Sequence, residues 1–365
     1  MEAAVKKLFF YAISILFTFS NAQLNVVYNP NYNITFYGLL SVIRLHSFNG
    51  KKYGEIYKVL RKNSKLKFHD PKQEISSQEL LNVHSERYLD SLLNSENIAR
   101  IAEVYPLKFV PNFLLRRALL RPIKYATQGT LDALDLALKY GNAINLGGGY
   151  HHAKNDRGEG FCFYSDIALA VNKFKEKHPG KKVMIVDLDV HQGNGHESIF
   201  MEDESVVIYD VYNMDVYPRD EAAKSKAKYR FPVRSEKLLG LYESQTGLSR
   251  SRVLKSGWLC DEKPAFSGIV DDVNYLKLIS DNLSKAIMAE KPDLIIYIAG
   301  TDILLNDPLG LFDVSEQGVI KRDELVFQAA IENKIPILML LAGGYTKESS
   351  SVISNSINNL QNKFF

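Results

Sequence analysis

The sequence holds only two cysteines, Cys162 and Cys260, in 365 residues. That excludes a disulfide scaffold and a cysteine-rich zinc finger. In a chain of this size both are expected as free thiols. It also has no dense run of Lys or Arg and little net charge, with 45 basic residues against 42 acidic ones. Nothing in that balance calls for a nucleic-acid partner, and direct sequence-specific nucleic-acid binding is not expected. Beyond the N-terminus no uninterrupted apolar stretch reaches the roughly 18 residues of a membrane span, so none is expected in the body of the chain.

What is present starts with an unusual N-terminus. Lys6 and Lys7 precede an apolar run from Leu8 to Phe19, followed by Ser20, Asn21 and Ala22. This is the pattern of a secretory leader, and it is too short for a comfortable span. The chain is read as a leader-like segment 1–22 and a single domain 23–365. Hydrophobic residues make up 46% of the sequence, ample for a core.

The regular part shows apolar strands alternating with helices. Strands are expected at Asn25–Tyr28, Ala143–Leu146, Val183–Val186, Val206–Tyr209, Leu294–Ala299 and Ile337–Leu341. Helices are expected at Lys124–Tyr140, Ile167–Lys177, Val273–Glu290 and Arg322–Asn333. Strands that are apolar at every position imply a parallel sheet covered on both faces, an α/β fold. Ligands of such sheets bind beyond the carboxyl ends of the strands. Arg234–Ser267, with its lone Trp258, breaks the rhythm and reads as an irregular surface insertion without chemistry.

The chemistry-bearing residues follow the strands. Asp187, Asp189 and His191 occupy alternate positions, so in an extended chain they project to one side. Asp302 follows a second strand at the same sheet edge. Two carboxylates and an imidazole leave a fourth position for water or substrate, the mark of a catalytic zinc site. Read blandly, these acids would be helix caps or solvated strand ends. His151 and His152 follow the Gly147–Gly149 turn and can carry protons near neutral pH; singly, either could be a structural histidine. Tyr345 follows Gly343 and Gly344 and can donate to a developing oxyanion, although most tyrosines only pack.

Together these stretches resemble the histone deacetylases, and most closely their class IV branch. The matching blocks are Asn145–His152, Asp156–Cys162, Asp187–Glu197, Asp210–Asn213, Ala299–Leu304, Lys321–Phe327 and Gly343–Tyr345, with Tyr28–Gly38 and Arg121-Pro122 beside them. The resemblance implies an arginase-like three-layer fold, a central parallel sheet flanked by helices. It implies a zinc ion held by Asp189, His191 and Asp302. His152 would be the general base, and His151, oriented by Asp187, its electrostatic partner. Tyr345 would be the oxyanion donor. Gly160, Phe161 and Tyr217 would wall the tunnel for the lysine stem. Asp187, Asp189, His191 and Asp210 fall where the family binds a structural potassium ion. The implied substrates are acyl-lysine proteins such as histones, with long fatty-acyl groups preferred, and the implied compartment is nuclear or cytoplasmic. Oligomeric state leaves no trace in the sequence.

Three departures stand out. Asn194 takes the place where many members carry Asp, so a less basic His152 and slower removal of plain acetyl groups are expected. The leader-like N-terminus is foreign to a nuclear or cytoplasmic family. The 234–267 stretch lies close behind the potassium-site strand. Competing readings are an acetylpolyamine amidohydrolase, an arginase and an idle scaffold. An arginase wants more carboxylates where Gln192 and Asn194 stand. A scaffold would have no use for the complete set of metal ligands, histidines and tyrosine.

Overall fold

Val183–Asp187 is apolar up to its last residue because both faces of the strand it forms are covered. In the computed structural model, which describes residues 23–34, 49–253, 259–260 and 262–365, it is a central strand of a nine-stranded sheet. The leader-like segment 1–22, residues 35–38 and Trp258 lie outside the described residues. The strands are β1 Asn25–Val27, β2 Lys67–His69, β3 Asn142–Asn145, β4 Val183–Asp187, β5 Val206–Asn213, β6 Tyr229–Ser235, β7 Phe266–Gly268, β8 Leu294–Ile298 and β9 Ile337–Leu340. Their order across the sheet is β2-β1-β3-β9-β8-β4-β5-β6-β7, and every pairing is parallel.

Alternate residues of these strands feed two cores. Met184, Val186, Tyr209 and Tyr297 pack beneath the helices Asp272–Glu290, Glu316–Glu332 and Ser349–Phe364. Val183, Ile185, Ile208 and Ile296 pack beneath Arg121–Tyr140 and Asp166–Lys177. The result is the expected three-layer α/β arrangement. Register aligns Asp187 with Ile298, so β4 and β8 finish level, while Asp210 pairs with Asp187 from within β5, which runs on to Asn213.

The expected helix at Arg322–Asn333 starts earlier, at Glu316, where the Ser315 hydroxyl accepts from the Gly318 amide at 3.2 Å. The irregular insertion expected at 234–267 is corrected. It holds the end of β6, the helix Glu236–Thr246, a short turn of helix and the start of β7. It connects β6 to the parallel edge strand β7. Four of its apolar residues, Leu238, Leu239, Val253 and Leu259, form a small separate buried cluster, at spacings that show no period in the sequence. Arg234 fixes its base by gripping both carboxylate oxygens of Asp215 at 2.7 and 3.1 Å.

The C-terminal helix is tied down by a charge network. The Glu324 carboxylate accepts from Lys321 at 2.7 Å, Lys363 at 2.6 Å and Asn359 at 2.8 Å. Burial alone would raise its pKa, but these donors win and hold it at about 2. A depressed carboxylate stabilises the fold above its unfolded pKa, and that contribution fades as pH falls through the folded value. Both lysines are partly exposed, so the expected loss for Glu324→Gln at pH 7 is only about 1–2 kcal/mol. Urea midpoints check it: the gap between variant and parent should close between pH 4.5 and 2. A gap that stays constant would contradict it.

Candidate active site

The site forms where the ends of β3, β4, β8 and β9 lie side by side, with β5 next to β4. After β3 the chain turns through glycines. Gly148 has φ +72° and Gly149 φ +78°, and a Cβ on Gly148 would meet Asp166 Oδ2 at 2.3 Å. Asp166 holds the turn by accepting from the amides of Gly149 and Tyr150, each at 2.9 Å. This delivers His151 and His152, both buried, to the sheet edge.

After β4 the chain leaves extended geometry, and the three alternating residues separate. Asp187 turns to His151, whose Nδ1 lies 2.9 Å away, and to His196, whose Nε2 lies 2.8 Å away. Asp189 and His191 turn instead toward Asp302 at the end of β8. His191 Nδ1 stands 3.1 Å from Asp189 Oδ1 and 3.1 Å from Asp302 Oδ2. One ligand atom from each of these three buried residues lies within 4.8 Å of the others. Two buried carboxylates this close attract positive charge. Burial would depress His191, but its bonds to Asp189 and Asp302 push it up to about 10, while burial and Asp189 raise Asp302 to about 7. The donor set and its demand for charge fit a divalent ion. Gly343 closes the cluster. A Cβ there would meet Asp302 Oδ2 at 2.3 Å, while its amide donates to Asp189 Oδ2 at 2.9 Å.

Beside the cluster the two histidines have opposite characters. Despite burial, Asp187 and Asp189 push His151 up to about 9. Burial, His151 and His191 hold His152 well below the ordinary histidine range. His152 Nδ1 is 2.8 Å from Asn194 Oδ1. The His152 ring meets Tyr217 edge to face at 5.0 Å, and Gly160 packs against it. Tyr345 lies between the rings of His191, at 6.4 Å, and Phe161, at 6.1 Å. Its amide is held by Asp307 at 2.8 Å. Behind these residues an apolar cavity of about 90 Å³ opens among Tyr53, Leu107, Leu119, Ile123 and Phe163.

Every residue singled out from the sequence for this site is thus brought to one sheet edge, though Asp187 serves the histidines rather than the three-ligand cluster. Asp210 lies deeper: one carboxylate oxygen accepts from Gly193 at 3.0 Å, and the other is buried without a partner among the described residues. Sequence reasoning missed Lys154, Glu159 and Asp220 behind Asn194, and Lys52, whose ammonium reaches the carbonyls of Ala342 at 2.9 Å and Gly343 at 3.1 Å. Glu159 stood inside a matching block, but only contact across the fold shows what it holds. A further group, Glu221, Cys260 and Glu262, has metal-ligand chemistry, but the Lys224 ammonium already sits among them, 2.6 Å from Glu221 and 3.2 Å from Glu262.

A buried carboxylate–imidazole cluster able to hold an ion, with a histidine pair able to carry protons beside it, lies at the carboxyl edge of the parallel sheet, the arrangement of groups expected at a hydrolytic site. The chain belongs to the histone deacetylase family: the histone deacetylase domain matches residues 46–360. It is 39% identical over 342 residues to histone deacetylase 2 of Arabidopsis thaliana, covering 93% of this chain and 79% of that one. To histone deacetylase B of Dictyostelium discoideum it is 26% identical over 298 residues, 78% of this chain and 63% of the other. The crystal structure of the HDA15 HD domain shares the fold, with a TM-score of 0.66 at 21% identity, over 93% of this chain and 87% of that one. The chain is accordingly a hydrolase acting on amides, on the arginase-like α/β fold. Among the described residues no helix is long and apolar enough to cross a membrane.

Proposed function

We propose that this chain hydrolyses the Nε-acyl-lysine amide of proteins such as histones, as a zinc enzyme of the class IV type that accepts long acyl chains. The observation that carries the reading is the Asp189–His191–Asp302 cluster set beside His152 at the mouth of an apolar cavity. Asp189, His191 and Asp302 would hold the ion. When bound, zinc polarises the scissile carbonyl and acidifies the attacking water.

The chain's own residues do the rest. An amide oxygen only accepts, so Asn194 Oδ1 keeps the proton of His152 on Nδ1 and leaves Nε2 free to take one. Nε2 removes the proton of the attacking water and later gives it to the leaving lysine amine. His151, charged against Asp187, adds positive potential beside the developing oxyanion. The Tyr345 hydroxyl donates to that oxyanion. Phe161 and Tyr217, with Gly160 between them and His152, bound the channel for the lysine stem. The cavity supports a long acyl group: it holds several times the roughly 10–15 Å³ that one water needs. A potassium ion near Asp187 and Asp210 would answer the unpartnered Asp210 oxygen. Asp189 and His191 spend their side chains on the other cluster, so they could offer it only backbone carbonyls. By family a nuclear or cytoplasmic setting is the reading.

Acetyl-, octanoyl- and myristoyl-lysine forms of one peptide test this, with the full chain, a zinc chelator and His152→Ala. Turnover should rise with acyl length and stop with chelator. It should fall by about 10²–10⁴ in His152→Ala. Turnover on none of the peptides by zinc-loaded protein would point to a small-molecule amide instead.

A further inference from the structure

Asn194 opens a helix, and its amide has two ends. The oxygen faces His152. The nitrogen faces two carboxylates: Nδ2 donates to Glu159 Oε1 at 2.7 Å and points at Asp220 Oδ2 at 3.4 Å. Two carboxylates would repel each other there, but the Lys154 ammonium bridges them, 3.4 Å from Glu159 and in close contact with Asp220. Lys154, Glu159 and Asp220 are all largely shielded, with side-chain exposures of 7%, 22% and 20%. Asp220 is held in turn from Gln192, whose Oε1 accepts its amide at 2.9 Å and whose Nε2 donates to its carbonyl at 3.0 Å. Three separate segments, those following β3, β4 and β5, thus converge on one side-chain amide.

An amide alone does not know which way to face, because its oxygen and nitrogen are almost the same size. Rotated by half a turn, Asn194 would set its oxygen against the Glu159 carboxylate at 2.7 Å and an N–H against His152 Nδ1. His152 would then have to accept at Nδ1 and carry its proton on Nε2, where it could take none. The carboxylate pair forbids this rotamer, because carboxylates accept and do not donate.

We propose that Glu159 and Asp220, clamped by Lys154, are positioning residues that fix the Asn194 amide and through it the tautomer of His152. The family's usual carboxylate next to this histidine is here displaced outward by one amide. The inference rests on the proposed reading of His152 as the base. It has a consequence for the obvious substitution. Asn194→Asp would place a new carboxylate 2.7 Å from that of Glu159, so it should harm the enzyme unless Glu159 is neutralised as well.

The test uses the full chain with labelled histidine. The ¹⁵N spectrum of His152 reads its tautomer without any turnover, and steady-state kinetics run beside it. Glu159→Ala should weaken the Nδ1–H signature and lower kcat about 10-fold, the lower range for groups that orient active-site residues, with KM nearly unchanged. Asn194→Asp should also lose about 10-fold or more, and Asn194→Asp/Glu159→Gln should recover most of it, since the glutamine amide can donate where Asn194 did. An unchanged tautomer and kcat in folded Glu159→Ala, or losses that simply multiply in the double variant, would overturn the proposal. If instead His152→Ala keeps full activity, the base assignment falls, while the tautomer signal still decides this inference.

Discussion

Asp302→Ala should leave the purified protein without stoichiometric metal and lower kcat/KM at least about 100- to 1000-fold, the rate equivalent of several kcal/mol of lost transition-state stabilisation. The argument is local. Asp302 gives one oxygen to the Val190 amide at 3.0 Å and turns the other to His191 at 3.1 Å. The first bond holds the chain between Asp189 and His191, so the truncation removes one ligand and loosens the segment carrying the other two. The remaining pair, one carboxylate and one imidazole, is a poor zinc site. Metal analysis after gel filtration and kinetics with a saturating acyl-lysine peptide give the two numbers. Full metal content with full activity would show that the cluster is not the catalytic centre. Asp302→Asn separates charge from shape: it keeps an oxygen for Val190, so metal should be lost while the fold is retained.

How much of this could be read in advance depends on which interactions are local in the chain. The strands at Val183 and Leu294 were legible because burial on both faces leaves no polar position. β6 and β7 were not: Tyr229, Phe231 and Phe266 are only partly buried at the sheet edge, and Arg230 and Arg234 interrupt the run. The meeting of Asp189, His191 and Asp302 was legible because Asp189 and His191 are two residues apart and Asp302 follows a recognisable strand. The divergence of Asp187 from them was not, because the alternation argument assumes an extended chain and β4 stops at Asp187. The clamp behind Asn194 joins residues 154, 159, 194 and 220, and no period or spacing links them. Its members look like ordinary surface charges until the fold removes them from water.

Arg322→Leu should be the most destabilising of these substitutions, by about 3–5 kcal/mol, the range for stripping one partner from a buried ion pair. Arg322 is fully buried, in a matching block to which the resemblance gave no role. Its guanidinium lies 2.9–3.0 Å from the adjacent Asp323 carboxylate. It also donates to the carbonyls of Leu188 at 3.3 Å and Ala299 at 3.2 Å, and to that of Gly300. Burial would ease its proton off, but Asp323 and the neighbouring tyrosines keep it charged. Those three carbonyls belong to the two segments that lead into Asp189 and Asp302, so one planar side chain braces both arms of the carboxylate–imidazole cluster. A leucine strips the guanidinium from all three carbonyls, leaving that of Leu188 the long bond from the Tyr275 hydroxyl at 3.4 Å, and leaves Asp323 without its cation, although the hydroxyls of Tyr297 and Ser356 still donate to it. Arg322→Lys keeps the charge but loses the fork, and should fall between the two. Urea midpoints measure the series. The double variant Arg322→Leu/Asp323→Leu should regain part of the loss, because removing both charges costs less than stranding one. If the double variant is no better than the single one, the penalty lies in the carbonyls stripped of the guanidinium, and metal affinity should then fall in step with stability in both.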